Sequence, residues 1–277
     1  DGKILEMKES RPVEMQPTDF SGLDSSLPAS FAEFTLEEGK SFTLLKFIAY
    51  SWGGEKEREN LKDKASKECE RFAKDGFEKA AKEQADFLAD FWKIAAINIE
   101  ENENPEDSQK SSLQDSLHFN LFHLLQSAGR NGRVSIAAKG LTSEGYEGHF
   151  FWDTESYVCP VFTYTAPQVA KKLLEYRASI LDKAGERAKI MSLKGALYPW
   201  RTISGEETSA YFPAGTAQYH ITADIIFALN RFLNAHENEA GLAFDKATVE
   251  EMSAQTARMY ASLGSFAPGK GGKFVIN

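Results

Sequence analysis

The chain has 277 residues, enough for one large domain or two ordinary ones, and its 42% apolar and 26% charged residues are the balance of a globular fold. A net charge of −9 argues against nucleic acid or an anionic membrane surface as partner, because both need a basic face, but it leaves room for a phosphate ligand in a local cationic pocket. No run of about 18 apolar residues suggests a membrane span, and Cys69 and Cys159 form neither a disulfide framework nor a metal-binding spacing.

In chain order, residues 1–52 read as β-structure. Phe31–Leu36 and Phe42–Tyr50 alternate about a Glu37-Glu-Gly-Lys40 turn, the pattern of a hairpin. A hairpin alone is marginal in water, so these strands are expected to belong to a larger sheet. Glu55 to Lys74 is a charged helix with few apolar anchors, as in a solvated or bridging helix. A more amphipathic helix follows, with Phe77, Ala80, Ala81, Leu88, Phe91, Trp92, Ala95, Ala96 and Ile99 at helical spacing and Trp92 as a core residue.

Glu100–Asp107 is an acidic loop that lacks the glycine-centred ligand alternation of a calcium site. Ser111–Ala128 is helical; its His118 and His123 are not at i, i+4 spacing, so they read as helix residues rather than zinc ligands. A turn at Gly129–Gly132 leads into a loop that ends near Thr154. Helical patterns then cover Glu155–Tyr164 and, after Pro167, Gln168–Met191. A second aromatic loop, Gly195–Arg201, precedes a helix near Thr222–Ala235. A last helix starts at Thr248, whose Thr-Val-Glu-Glu251 sequence fits a capping box. Nucleotide-binding glycine loops and the serine-hydrolase elbow are both missing from the chain.

The chemistry concentrates in Gly145-Tyr-Glu-Gly-His-Phe-Phe-Trp-Asp-Thr-Glu155. Three adjacent aromatics beside acids and a histidine are poorly patterned for a core. They suit the wall of a sugar pocket, because a pyranose needs an aromatic plate for its C–H face and acceptors for its hydroxyl rim. Trp152 beside Asp153 offers both, and a charge-assisted hydrogen bond is about twice as strong as a neutral one. His149, Glu155, Tyr198 and Trp200 are candidates for further rim contacts.

These residues also carry a resemblance. Lys139–Glu155, together with His118-Phe-Asn-Leu-Phe-His-Leu124 and Lys194-Gly-Ala-Leu-Tyr-Pro-Trp200 and, more loosely, His220-Ile-Thr-Ala-Asp224, resembles glycoside hydrolase family 65. That family contains the maltose, kojibiose, nigerose and trehalose phosphorylases. The resemblance implies a mainly α fold, part of an (α/α)6 toroid preceded by linker helices and by a few strands left from an N-terminal β-sandwich. On this reading residues 1–52 are sandwich strands, 53–104 linker helices and 105–277 the first half of the toroid.

The resemblance also implies inverting phosphorolysis of an α-linked glucose disaccharide to β-glucose 1-phosphate, with inorganic phosphate as co-substrate and no cofactor or metal. Phosphate replaces the activated water of an inverting hydrolase, so one general acid suffices. In the family that acid is a glutamate in a Gly-Pro-[Asp/Asn]-Glu-Tyr element following a segment like Lys273-Phe-Val-Ile-Asn277. No catalytic residue is therefore expected before Asn277, and the chain by itself is expected to be inactive. Trp152 and Asp153 match the family's glucose-holding pair; His149, Phe151 and Trp200 are expected beside them, whereas Glu155 and Glu207 do not match the catalytic position and Glu155 suits a helix first turn. The alternatives are a trehalase-like hydrolase of the same family and a non-catalytic carbohydrate-binding module. The remaining expectations are a cytoplasmic location, in line with the cysteine usage and the N-terminal Asp-Gly-Lys-Ile-Leu-Glu, and a homo-oligomer formed over exposed apolar faces.

Overall fold

The computed structural model describes residues 38–41, 43, 45–53, 57–99, 113–141, 145–210 and 218–276. It divides into two units, residues 1–85 and 86–277.

In the first unit, the charge of the Glu55–Lys74 segment becomes helix α1 (Arg58–Asp75), which buries none of its residues. Its ion pairs lie along one exposed surface, such as Arg71 with Glu68 and Asp75, an arrangement that adds only tenths of a kcal/mol each. Gly76 ends the helix at φ 83°, its N–H bonded to Phe72 O. The turn at Glu38–Gly39 is present, but residues 45–50 carry no strand pairing among the described residues. The strand expected over 31–36 lies outside them, as does the acidic loop at 100–107.

Helix α2 (Phe77–Ala95) buries Phe91 and Ala95. Trp92 is half-buried, its ring 5.0 Å from both Phe91 and His118. Helix α3 (Leu113–Ser127) follows, burying Leu121 and Leu125 on one face.

The centre of the second unit is built on α4 (Cys159–Thr165), α5 (Pro167–Ser179) and α7 (His220–Ala235), which pack on one another. The reason lies in α7, where Ile221, Ile225, Ala228, Leu229 and Phe232 recur at i, i+4, i+7, i+8 and i+11 and are all buried. They meet Phe162, Leu173 and Leu174, which are equally sealed. Between α5 and α7 lies α6 (Leu181–Ile190). The single helix expected over Gln168–Met191 is thus two: at Ile180 the backbone leaves helical geometry (φ −106°, ψ 13°), and the Ser179 hydroxyl takes up the Tyr176 carbonyl at 2.7 Å.

Helix α8 (Lys246–Leu263) starts earlier than the Thr248 capping box predicts. Asp245 is the cap, its carboxylate accepting the Thr248 N–H and hydroxyl at 2.8 Å each, so Thr248 is a partner rather than the cap. A short antiparallel pair, β1 (Ser265–Ala267) and β2 (Lys273–Val275), follows. The described fold is therefore mainly helical. None of its helices is long and apolar enough to cross a membrane.

Candidate functional site

Two largely irregular segments, 129–153 without 142–144 and 191–210, meet beside this core. Phe150 and Thr202 exchange both backbone hydrogen bonds, at 2.8 and 3.2 Å, which ties the loops together. The second loop is anchored at its start to α8. Gly195, at φ 76°, passes so close that a Cβ would lie 2.0 Å from Gln255 O, and the next N–H bonds that same carbonyl.

A cavity of about 690 Å³ opens beside the junction. Phe151, Trp152 and Asp153 from the first loop and Trp200 from the second all stand on its wall. Phe151 is buried, Trp152 and Trp200 are half-buried, and Asp153 is exposed. Phe151 meets Trp200 edge-on at 5.1 Å. Trp152 is buttressed by the His220 ring at 4.7 Å. That imidazole is held on both sides, its Nδ1 2.7 Å from Asp224 and its Nε2 2.6 Å from Gln218. Asp153 is the one acid on the wall among the described residues and has no hydrogen-bond or ion-pair partner among them.

His149 does not reach the wall. Its Nδ1 lies 2.7 Å from the Tyr146 carbonyl, which needs an N–H, and 3.2 Å from an Arg201 nitrogen, which needs a lone pair, so one tautomer serves only one of them. Two other expected rim residues are placed differently as well. Tyr198 is fully buried, burial raises its pKa well above the ordinary tyrosine value, and its hydroxyl has no partner among the described residues. Glu155 is sealed in the single π turn Thr154–Val158, where both its oxygens take the guanidinium of Arg177, at 2.9 and 2.8 Å. Burial alone pulls the Arg177 pKa down; the charge and hydrogen bonds of Glu155 outweigh it and hold the group above its usual value. Arg177 also donates to Phe151 O at 3.2 Å, so this pair fixes the backbone just before Trp152.

Glu207 is likewise not on the wall. Its oxygens accept the Trp200, Arg201 and Ser209 N–H groups at 2.7, 3.2 and 3.1 Å, and Arg187 stands 3.3 Å away.

The cavity is also lined by residues not singled out for it in the sequence: Phe119, Asn120 and His123 of α3, with Lys139 and Tyr146. Phe119 and His123, one helical turn apart, hold their rings 4.2 Å apart and tilted at 54°. The signal was available in the exposed aromatic face of the His118–Leu124 segment, but helical spacing alone does not separate a wall from a core. Tyr146 belongs to the Gly145–Glu155 run, but no periodicity there separates it from its neighbours. It sits in a left-handed stretch, with φ of 54° and 45° at Tyr146 and Glu147 between glycines at 114° and 73°. Non-glycine residues there cost about 1–3 kcal/mol each and persist where the surroundings impose them; here Glu147 is paired with Arg201 and the Tyr146 ring rests edge-on against Phe151 at 5.3 Å.

Aromatic plates, one free carboxylate, an amide, an imidazole and an ammonium group around one cavity suit a polyhydroxylated ring with apolar faces. Among the described residues, no three His, Cys, Asp or Glu side chains converge as metal ligands.

Comparison with known proteins gives the same segment a family. A profile described as the glycosyl hydrolase family 65 central catalytic domain matches residues 118–277. An α,α-trehalose phosphorylase of Thermoanaerobacter brockii is 50% identical over 241 residues, covering 87% of this chain and 30% of the relative. A kojibiose phosphorylase of the same organism is 36% identical over 245 residues, covering 84% of this chain and 30% of that relative. A solved structure of a putative kojibiose phosphorylase from the human microbiome superposes with a TM-score of 0.65 at 25% identity, over 79% of this chain and 28% of that one. The chain thus spans about a third or less of the length of these relatives.

Proposed function

Because the chain belongs to glycosyl hydrolase family 65, we propose that its cavity holds a glucose unit of an α-linked disaccharide and that the whole protein cleaves this disaccharide with inorganic phosphate, inverting the anomeric centre to give β-glucose 1-phosphate. The observation that carries this reading is the convergence of Phe151, Trp152, Asp153 and Trp200 on one cavity of about 690 Å³ inside the family-matched segment. Trp152 and Trp200 offer faces to the C–H side of the ring. The Asp153 carboxylate accepts from sugar hydroxyls, where water is partly displaced and a charge-assisted bond counts most. None of the described residues is assigned as the acid that protonates the glycosidic oxygen. The helical unit is read as part of an (α/α)6 toroid, with phosphate as co-substrate.

α,α-Trehalose is the first substrate to try, because identity is 50% to the trehalose phosphorylase and 36% to the kojibiose phosphorylase. The test is incubation of the whole protein with trehalose and with kojibiose, with and without phosphate, followed by proton NMR. The expected result is phosphate-dependent appearance of β-glucose 1-phosphate. Equal cleavage without phosphate would instead identify a hydrolase. Glucose binding that is lost on Asp153→Ala, without any turnover, would identify a binding module.

A further inference from the structure

The Trp200 wall is held by a carboxylate that does not face the cavity. Residues 198–209 form no helix and only one bridge, so most of their N–H groups need partners other than a helix or sheet ladder. Glu207, within the same loop, supplies three of them. Its Oε2 accepts from Trp200 N–H, and its Oε1 accepts from both Arg201 and Ser209 N–H. Arg187 of α6 stands 3.3 Å from Oε2, and its other terminal nitrogen donates to Tyr198 O at 3.0 Å. One carboxylate–guanidinium pair therefore grips the loop at Tyr198, Trp200, Arg201 and Ser209. Three backbone N–H groups and the Arg187 guanidinium thus surround the two oxygens of Glu207, which is not among the residues lining the cavity.

We propose that Glu207 is a positioning residue: its two oxygens set the backbone of the second loop so that the Trp200 indole stands on the cavity wall, and Arg187 holds the carboxylate in place. A carboxylate is required because an amide has one acceptor oxygen and would turn its NH₂ toward a backbone N–H. The effect on turnover rests on the sugar reading of the cavity; the effect on Trp200 does not.

The whole protein, labelled with 5-fluorotryptophan, separates the two. The Trp200 fluorine resonance is assigned by its loss in Trp200→Phe, and Trp92 serves as a core reference. In Glu207→Gln the Trp200 resonance shifts or broadens while that of Trp92 stays. The KM for the disaccharide rises about tenfold, the size of one lost hydrogen bond to a charged group, and kcat changes less. Combined with Trp200→Ala, Glu207→Gln adds nothing further, because both act through the same indole. An unchanged Trp200 resonance, or full additivity of the two substitutions, overturns the proposal. A moved resonance with an unchanged KM upholds it and overturns the sugar reading instead. Glu207→Asp keeps both acceptors on a shorter arm; it gives the same readings if the glutamine variant does not fold, and a smaller displacement of Trp200 if both do.

Discussion

Two carboxylate–guanidinium pairs stand behind the two loops of the cavity, and water reaches them to different degrees. Glu155 and Arg177 are both fully enclosed and joined by two short bonds. Glu207 and Arg187 retain some exposure and meet at 3.3 Å. Each arginine also donates to a loop carbonyl, Phe151 O in one case and Tyr198 O in the other. The plan is shared, but the balance differs. Burial is the largest influence on both arginines; Glu155 overcomes it at Arg177, whereas at Arg187 burial prevails over Glu207 and the pKa is lowered. A sealed pair is costly to form and more costly to break, because either partner left alone is an uncompensated buried charge. The less enclosed pair leaves a remaining partner nearer to solvent. The Trp152 loop is thus set by a contact the fold cannot give up, and the Trp200 loop by one it can.

The largest effect expected from breaking this contrast is on stability at the sealed pair. Arg177→Met strands Glu155 and should cost about 3–5 kcal/mol, read from the midpoint of chemical denaturation; a loss no greater than that of Glu207→Gln would erase the distinction. Glu207→Gln should cost less, about 1–3 kcal/mol, with its main consequence at Trp200.

A smaller effect tests the bond between α5 and the second loop. The Tyr176 hydroxyl, next to Arg177 on α5, donates to Ile203 O at 2.8 Å, and burial raises its pKa to about 12. In the unfolded chain the same group ionises near about 10. Between those values the unfolded state loses its proton first, so stability falls as pH rises through that window. Tyr176→Phe should flatten this part of the alkaline slope. Identical slopes for the two proteins would mean that the hydroxyl is not held as described.

The smallest stability change is expected at Asp153→Ala, within about 0.5 kcal/mol, since the residue is exposed and has no partner among the described residues. Titration calorimetry with glucose should nevertheless lose its signal. Wild-type binding that survives the substitution would remove Asp153 from the site.

Much of this was legible in the chain. Helical spacing located α1, α2, α3 and α7 because each buries, or fails to bury, a face defined by residues three and four apart. The Trp152–Asp153 pair was legible because three consecutive aromatics beside acids have no place in an ordinary amphipathic pattern. What the chain left open has a common physical source. Glu155 does lie in a helix first turn and neither it nor Glu207 lines the cavity, but a carboxylate's role depends on the donors around it, and these include Arg177, 22 positions away on α5, and Arg187 on α6. Tyr198 lies two residues from Trp200 on the same loop, yet one is sealed and the other lines the cavity. Neighbours on an irregular segment share no periodicity that would assign their faces.

The amino-acid sequence by itself determined the helical character and the family, and it singled out the Gly145–Glu155 run, because these depend on local spacing and on side-chain chemistry carried in one short stretch. Only the tertiary structure decided which of those residues share a cavity. It brought α3 to the same cavity as Trp152, turned His149 toward Arg201, and spent Glu155 and Glu207 on holding loops. That choice rests on the pairing of buried charges and backbone N–H groups across distant segments, which no local pattern encodes.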